Sequence, residues 1–155
     1  MDRAADSPQL IAIAVVERRD DAGHAAYLIR QRPAGAPLAG MWEFPGGKIG
    51  AGETAESAAI RECREETGLV VRVAEELTAV DHAYPHGTLR LTFFHCECED
   101  PTATPTGGFH WVDAATLGNY EFPPANADVL KELAQRRAAN PKPPATSQDT
   151  SAAKP

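Results

Sequence analysis

Three glutamates lie at helical spacing near the middle of the chain. Glu62, Glu65 and Glu66 stand at positions i, i+3 and i+4, which share one face of a helix. Like charges at this spacing repel one another, and a cation with oxygen ligands, such as Mg²⁺ or Mn²⁺, removes that conflict. The alternative is a solvated acidic face screened by Arg61 and Arg64, and the three glutamates taken alone favour it. The residues around them change that interpretation.

A glycine-rich loop and a capped helix position the glutamates. The loop spans residues 47–53, and Thr54 is typical of a residue that caps the start of a helix. Gly68 is typical of the residue just past a helix end, so the pattern predicts a helix over residues 55–67. The flank predicted to face the core comprises Ala59, Ile60, Cys63 and Thr67.

The loop and helix together resemble the signature of the Nudix hydrolase family. That signature reads G-x5-E-x7-R-E-U-x-E-E-x-G-U, where U is a bulky apolar residue. Cys63 occupies the first U position, a mild departure because cysteine behaves as a small hydrophobe. The remaining positions are matched by Gly47, Glu53, Arg61, Glu62, Glu65, Glu66, Gly68 and Leu69.

The resemblance implies a reaction, a cofactor and a set of site residues. It implies metal-assisted attack of water on a phosphorus of a nucleoside triphosphate, with Mg²⁺, or else Mn²⁺, as the cofactor. Arg61 would orient a glutamate, Glu53 in the first place, and Lys48 would contact a phosphate or remain solvated. The implied catalytic residues are Glu53, Arg61, Glu62, Glu65 and Glu66, and the implied metal-binding residues are the Gly47 carbonyl, Glu62, Glu65 and Glu66.

Further stretches are similar to the MutT group of this family, which hydrolyses 8-oxo-dGTP to the monophosphate and pyrophosphate. They are Arg32-Pro33, residues 42–48, residues 82–85 and residues 122–126. The last stretch carries Asn126, which the resemblance makes the residue that reads the base. Arg32 would also contact the substrate, whereas Phe44 either lines a base-binding pocket or packs in the core.

One departure from the MutT group concerns the general base. Enzymes of that group supply a further glutamate from the loop before the last strand, and here residues 101–108 contain no acid. The base, and with it one metal ligand, stays open at this point. The candidates are Glu62, Glu53, Glu97, Glu99 and Asp100.

Two other functions remain in competition with hydrolysis of oxidised guanine nucleotides. The first is a pyrophosphatase for CTP, dCTP or a broad range of nucleotides, which shares residues 31–33 and 42–44 but for which residues 123–126 are less typical. The second is a non-catalytic Nudix-like module that recognises oxidised guanine. Such modules usually lose the signature acids, and all of them are present here.

Composition restricts the partners and the compartment. The formal net charge of -7 disfavours non-specific binding to nucleic acid polymers, because phosphate contacts need Lys and Arg. Cys63, Cys96 and Cys98 are odd in number and form no disulfide or zinc pattern, which indicates a reducing compartment and ordinary packing. No signal peptide or membrane span is predicted, so we expect a cytoplasmic monomer whose partner is a nucleotide.

The pattern of apolar residues predicts an α/β fold. Strands precede and follow the central helix, and an amphipathic helix over residues 127–138 would bury Val129, Leu130 and Leu133. This order, like the family resemblance, predicts an α/β/α sandwich around a mixed β-sheet, formed by one domain over residues 1–139. The predicted strands span residues 9–17, 25–31, 70–80, 88–97 and 109–112, with a turn at 81–87 and a disordered tail at 140–155.

Removal of residues 141–155 should change neither turnover nor the melting temperature. The segment has too few apolar residues to offset the entropy lost on ordering it. Thermal melts and activity assays of the full and shortened chains check this expectation. A melting temperature lowered by several degrees would mean that the segment docks on the domain.

Overall fold

A mixed sheet lies between two helices in the computed structural model, which describes residues 7–139 of the chain. This confirms the predicted α/β/α sandwich. The strands are β1 (Gln9–Arg19), β2 (Ala25–Gln31), β3 (Trp42–Glu43), β4 (Gly46–Lys48), β5 (Val71–Tyr84), β6 (Gly87–Cys98) and β7 (His110–Asp113). The helices are α1 (Ala55–Thr67) and α2 (Ala127–Ala139), and two 3-10 turns span Ala114–Asn119 and Pro124–Asn126.

Strand β1 is the centre of the sheet and has different neighbours along its length. On one side it runs parallel to β6, whose other edge pairs with the antiparallel β5. On the other side its first half pairs with β4 and its last residues pair with β2, both antiparallel. Strand β2 continues the sheet through β7 and β3. Because the partner changes along β1, the short strand β4 lies beside this central strand. The glycine-rich loop begins in β4.

The two faces of the sheet bury separate hydrophobic cores. Alternate residues of β1 point to opposite faces, as the period of a strand requires, so Ala14 packs beneath α1 and Val15 packs beneath α2. This burial on both faces explains why β1 reads as a continuous apolar run rather than an alternating one. All three cysteines are free and buried in the core beneath α1, which confirms their predicted role in packing.

Helix α1 begins and ends where its caps predict. The Thr54 side-chain oxygen accepts a bond from the Ser57 amide at 3.0 Å, and the Thr54 amide donates to the Ser57 hydroxyl at 3.2 Å. At the other end Gly68 adopts φ +79°, a left-handed conformation that glycine accepts without strain, and its amide donates to the Arg64 carbonyl. The predicted bounds of this helix are confirmed.

The structure differs from the sequence prediction in the long hairpin of β5 and β6. Residues 81–87 were expected to form a turn, but the strands continue to Tyr84 and resume at Gly87. An ion pair between Asp81 and Arg90, at 2.8 Å, and edge-to-face packing of His82 on Tyr84 support the extra residues. The Pro and Gly in this stretch therefore mark a much tighter turn than predicted.

Smaller differences concern short elements and one helix residue. Strands β3 and β4 were not predicted, because they contain only two and three residues within a stretch rich in glycine and proline. Leu130 is partly buried rather than buried, since Val129 and Leu133 take the inward positions of α2. The tail predicted at residues 140–155 lies outside the described residues. Within the described chain, no helix is both long enough and apolar enough to cross a membrane.

Candidate active site

Arg61 is the centre of the acidic cluster on α1. Its Nε and Nη2 donate to the two carboxylate oxygens of Glu53 at 2.5 and 2.9 Å, a bidentate contact that the planar guanidinium favours. Its Nη1 donates to Glu62 at 3.2 Å and to Glu65 at 3.1 Å. Nη2 also donates to the Lys48 carbonyl at 3.1 Å, so one side chain joins the loop to three acids.

The acids of this cluster differ in their electrostatics. Hydrogen bonds from Arg61, with a further bond from the Gly50 amide, lower the pKa of Glu53 to about 2. Burial raises the pKa of Glu66 to about 7, although the Gly46 amide donates to it at 3.1 Å. Glu66 therefore lies where a negative charge is disfavoured, and a nearby cation would offset that cost.

Gly47 allows the loop to lie directly against the acidic face. A Cβ atom at this position would stand 2.6 Å from both carboxylate oxygens of Glu62, closer than real Cβ contacts occur. Gly46 is confined in the same way, because its Cβ would stand 2.6 Å from the Ala12 carbonyl oxygen on β1. Position 46 needs glycine because it meets rigid backbone, whereas a side chain at position 47 would force the Glu62 carboxylate to turn away. The close approach places the backbone of β4 beside the carboxylate oxygens of Glu62.

The donor set fits a divalent cation with oxygen ligands. Glu62 and Glu66 lie against the backbone of β4, and carboxylates with backbone carbonyls are the ligands that Mg²⁺ and Mn²⁺ prefer. Among residues 7–139, however, no three acidic, imidazole or thiol groups converge closely enough to hold a metal as they stand. Arg61 Nη1 contacts both Glu62 and Glu65, whose side chain is 59% exposed, so an arginine stands between these two carboxylates.

A cleft of about 870 Å³ runs from the glycines of β4 to the start of α2. Its floor includes the buried side chains of Phe44, Ile13 and Leu91. Phe44 also stacks on Phe122 with ring centroids 5.0 Å apart. Phe44 therefore both lines the cleft and packs in the core, the two roles that the sequence left open. Asn126 lines the cleft with only 7% of its surface exposed.

Asn126 makes a local contact rather than capping α2. Its Nδ2 donates weakly to the Pro123 carbonyl at 3.4 Å, and the 3-10 turn that contains it continues directly into the helix. Within residues 7–139, its side-chain oxygen accepts no amide hydrogen bond from that helix. The amide therefore has a free acceptor and one free N–H near the wall of the cleft.

The other predicted substrate contacts are only partly in the cleft. Arg32 lines it, but its Nη1 donates to Glu43 at 2.5 Å and its Nε to the Pro37 carbonyl at 2.6 Å. Lys48 is exposed and is not part of the cleft lining. These bonds use two of the five N–H donors of the Arg32 guanidinium, and Nη2 makes no hydrogen bond within residues 7–139.

Two residues of the site were missed by the sequence reasoning. Glu43 lines the cleft and accepts from Arg32 and also from Arg30, at 2.7 Å. A signal was available, because Arg30 lies on β2 and Arg32 follows directly after its end, so extended backbone would put both side chains on one face. Their common acceptor on β3 was not visible in the sequence because β3 itself was not predicted.

Three of the acids considered as a general base are directed elsewhere. Glu97 pairs with Arg72 across the hairpin at 2.9 Å, and the Asp100 side chain accepts from Thr102. Glu99 is exposed at the end of the hairpin, where its amide donates to the Val70 carbonyl. Of the five candidates, Glu53 and Glu62 are the two that the structure places in the cluster.

A second pocket, of about 520 Å³, lies where β1 meets β2 and the end of α2. Of the residues considered for the site it contains Glu97, the candidate base that pairs with Arg72. Its carboxylate Glu17 is already paired, with His95 at 2.8 Å and with Arg19 at 3.0 Å. Burial opposes ionisation of Glu17, but these partners outweigh it and hold the pKa below its ordinary value. The larger cleft is therefore the better candidate for a substrate site.

Comparisons with known proteins agree on one family. The family model described as NUDIX domain matches residues 12–132. An 8-oxo-dGTP diphosphatase of Haemophilus influenzae is 39% identical over 110 residues, which cover 68% of this chain and 79% of that protein. A CTP pyrophosphohydrolase of Escherichia coli is 29% identical over 133 residues, covering 84% and 95% respectively. The solution structure of the E. coli ORF135 protein matches with a TM-score of 0.71 and 28% identity, covering 91% of this chain and 99% of that one.

Arg61→Met should raise the pKa of Glu53 from about 2 towards the ordinary carboxyl value of about 4.5, because both bonds from the guanidinium are lost. A pH titration of the Glu53 carboxyl group by NMR measures this shift. Arg64→Met is the matched control, since it removes an arginine from the same helix and should leave the titration unchanged. A Glu53 pKa that stays near 2 in Arg61→Met would contradict the assigned contact.

Proposed function

The chain belongs to the Nudix hydrolase family, and we propose that it is a Mg²⁺-dependent diphosphatase of oxidised guanine nucleotides. Its preferred substrate would be 8-oxo-dGTP, which it would hydrolyse to the monophosphate and pyrophosphate. The observation that carries this proposal is the position of Asn126. This buried amide lines the same cleft whose other end is formed by Gly46 and Gly47, beside Glu62.

The chemistry of the oxidised base explains why an amide suits it. Oxidation at C8 adds a carbonyl and turns N7 from a hydrogen-bond acceptor into a donor. A reader of that change must offer a donor and an acceptor from one rigid group, which the side chain of Asn126 does. Phe44 and Leu91 supply apolar surface for the flat ring, and Pro123 and Pro124 restrict the backbone that leads to Asn126.

The acidic cluster would supply the hydrolytic half of the site. Glu62, Glu65 and Glu66, with the Gly47 carbonyl, would hold the metal, which neutralises phosphate charge and makes water a better nucleophile. Release of Glu65 from Arg61 would complete this set, and its exposed side chain is free to turn. Arg61 would meanwhile keep Glu53 ionised and the loop in place.

Glu62 is the better general base of the two that remain. Both oxygens of Glu53 accept from Arg61, and one of them also accepts from the Gly50 amide. Glu62 accepts from Arg61 through Oε2 alone, and its Oε1 has no hydrogen-bond donor among residues 7–139. We therefore propose that Glu62 Oε1 accepts the proton of the attacking water.

The setting we propose is a cytoplasmic monomer that acts on free nucleotides. Three free, buried thiols fit a reducing compartment. The net charge of -7 fits a metal-bound nucleotide better than a nucleic acid polymer.

A CTP pyrophosphohydrolase is the second candidate function. It is favoured by the E. coli relative of that name, 95% of whose length is matched. An Asn amide can also pair with the edge of cytosine, so Asn126 alone does not exclude it. Pyrophosphate release from a panel containing 8-oxo-dGTP, dGTP, CTP and dCTP, with Mg²⁺, separates the two functions.

Glu66→Gln should lower kcat about 100-fold or more, because a bound metal supplies several kcal/mol of transition-state stabilisation. Its melting temperature without added metal should not fall, since the amide removes a charge that burial disfavours. Steady-state kinetics and a thermal melt measure the two effects. Glu56→Gln, an exposed acid in the first turn of the same helix, is the control. Near-normal turnover in Glu66→Gln would remove this residue from the metal site.

Asn126→Ser should lower the preference for 8-oxo-dGTP over dGTP by about 5- to 150-fold. This corresponds to about 1–3 kcal/mol for leaving buried polar groups of the base unpaired. The measurement is kcat/KM for both nucleotides in the wild type and the variant. Asn119→Ser, an exposed asparagine in the preceding 3-10 turn, is the matched control. An unchanged preference would defeat the assignment of Asn126 and shift the proposal towards a broad nucleotide pyrophosphatase.

A further inference from the structure

Arg30 lies on β2 at a junction between the sheet, the loop before β7 and the cleft. Its Nε donates to Glu43 at 2.7 Å, and its Nη1 donates to the Gly107 carbonyl oxygen at 3.1 Å. The guanidinium carbon stands 4.6 Å from the ring centroid of Phe109, over the face of the ring. The side chain is 27% exposed; its bond to Glu43 is partly buried, and its bond to Gly107 is at the surface.

The loop that Arg30 binds lies on the last turn of α1. The Thr106 amide donates to the Thr67 carbonyl at 2.9 Å, which satisfies one of the free carbonyls at the helix end. Gly107 has φ +71°, and a Cβ there would overlap the Glu66 carbonyl oxygen. The backbone of Glu66, and with it the start of its side chain, is therefore in direct contact with this loop.

Few side chains of the loop itself fix its position: Ala103 packs against the core beneath α1, and the bond from Thr106 to Thr67 is made by the backbone. Residues 101–108 are Pro, Thr, Ala and Gly, with no acid and no large apolar side chain. Arg18 donates to its first carbonyl, at Pro101, with a long bond of 3.4 Å. The contact from Arg30 is the shorter one, and it is made at Gly107, where the loop meets Glu66.

We infer that Arg30 is a positioning residue of the acidic cluster. It fastens the acid-free loop against the last turn of α1 and so fixes the backbone of Glu66. Through Glu43, which it shares with Arg32, it joins that turn to the rim of the cleft. The inference rests on the proposed hydrolysis only for its effect on turnover, since the effect on the loop can be measured in the free protein.

The geometry of the guanidinium sets what the variants should do. Leucine at position 30 removes both hydrogen bonds but keeps an apolar stem over Phe109. Lysine keeps the charge, yet a single ammonium group lacks the flat fork that reaches Glu43 and Gly107 together while covering the ring. Arg72→Leu is the matched control, because Arg72 lies on β5 in a surface ion pair with Glu97.

The first measurement is hydrogen exchange of the protein without nucleotide or metal. Arg30→Leu and Arg30→Lys should speed exchange over residues 101–109 and in the last turn of α1, and Arg72→Leu should not. The second is kinetics: kcat should fall about 10- to 100-fold, the usual range for partners that orient metal ligands, while KM changes little. A cleft floor of Phe44 and Leu91 that is untouched by the changes accounts for the stable KM.

Normal exchange in this loop for Arg30→Leu would overturn the inference, and so would faster exchange with an unchanged kcat. If Arg30→Lys keeps the wild-type kcat, the two-pronged geometry of the guanidinium is not what positions the loop, because a positive charge alone would then suffice. That result would overturn this part of the inference. Should the wild type hydrolyse no nucleotide, the proposed function fails separately, and Mn²⁺ binding to the wild type and Arg30→Leu replaces kcat as the second measurement. Weaker Mn²⁺ binding in Arg30→Leu would then support the inference, and equal binding would overturn it.

Discussion

The close approach of β4 to its neighbours is the constraint on which the site depends. At Gly46 the backbone lies against β1, which leaves no room for a side chain, and at Gly47 it lies against the Glu62 carboxylate, which a side chain would displace. Strand β4 pairs with the first half of β1, and β2 pairs with the last residues of β1. Strand β4 therefore lies next to the central strand of the sheet. This places the start of the loop under the acidic face of α1 and at the end of the cleft.

Charge balance in the cluster follows from one arginine. Arg61 contacts three carboxylates and a backbone carbonyl, and this network compensates most of the repulsion that the spacing on the helix creates. Glu66 accepts no bond from Arg61, and burial raises its pKa to about 7. Arg61 is therefore the cation that balances the charges of the cluster, and Glu66 is the carboxylate that it does not contact.

Sequence reasoning reached the parts of the molecule that are governed by local rules. Thr54, Gly68 and the helix between them were predictable, because caps and helical periodicity are properties of neighbouring residues. Strands β3 and β4 were not, since two or three residues carry no periodic signal. Arg30 and Glu43 meet only because β2 and β3 pair, and the contacts of Arg61 with Glu53 depend on how the loop folds back on α1.

The placement of the three cysteines has a consequence for the chemistry that surrounds an oxidised nucleotide. Burial raises the pKa of Cys63 to about 11 and of Cys96 to about 12, and it also raises the pKa of Cys98. Thiols with raised pKa values carry little thiolate at neutral pH, and the thiolate is the form that attacks peroxides. The three thiols beneath α1 are therefore poor targets for peroxides, which belong to the oxidative conditions that would generate the proposed substrate.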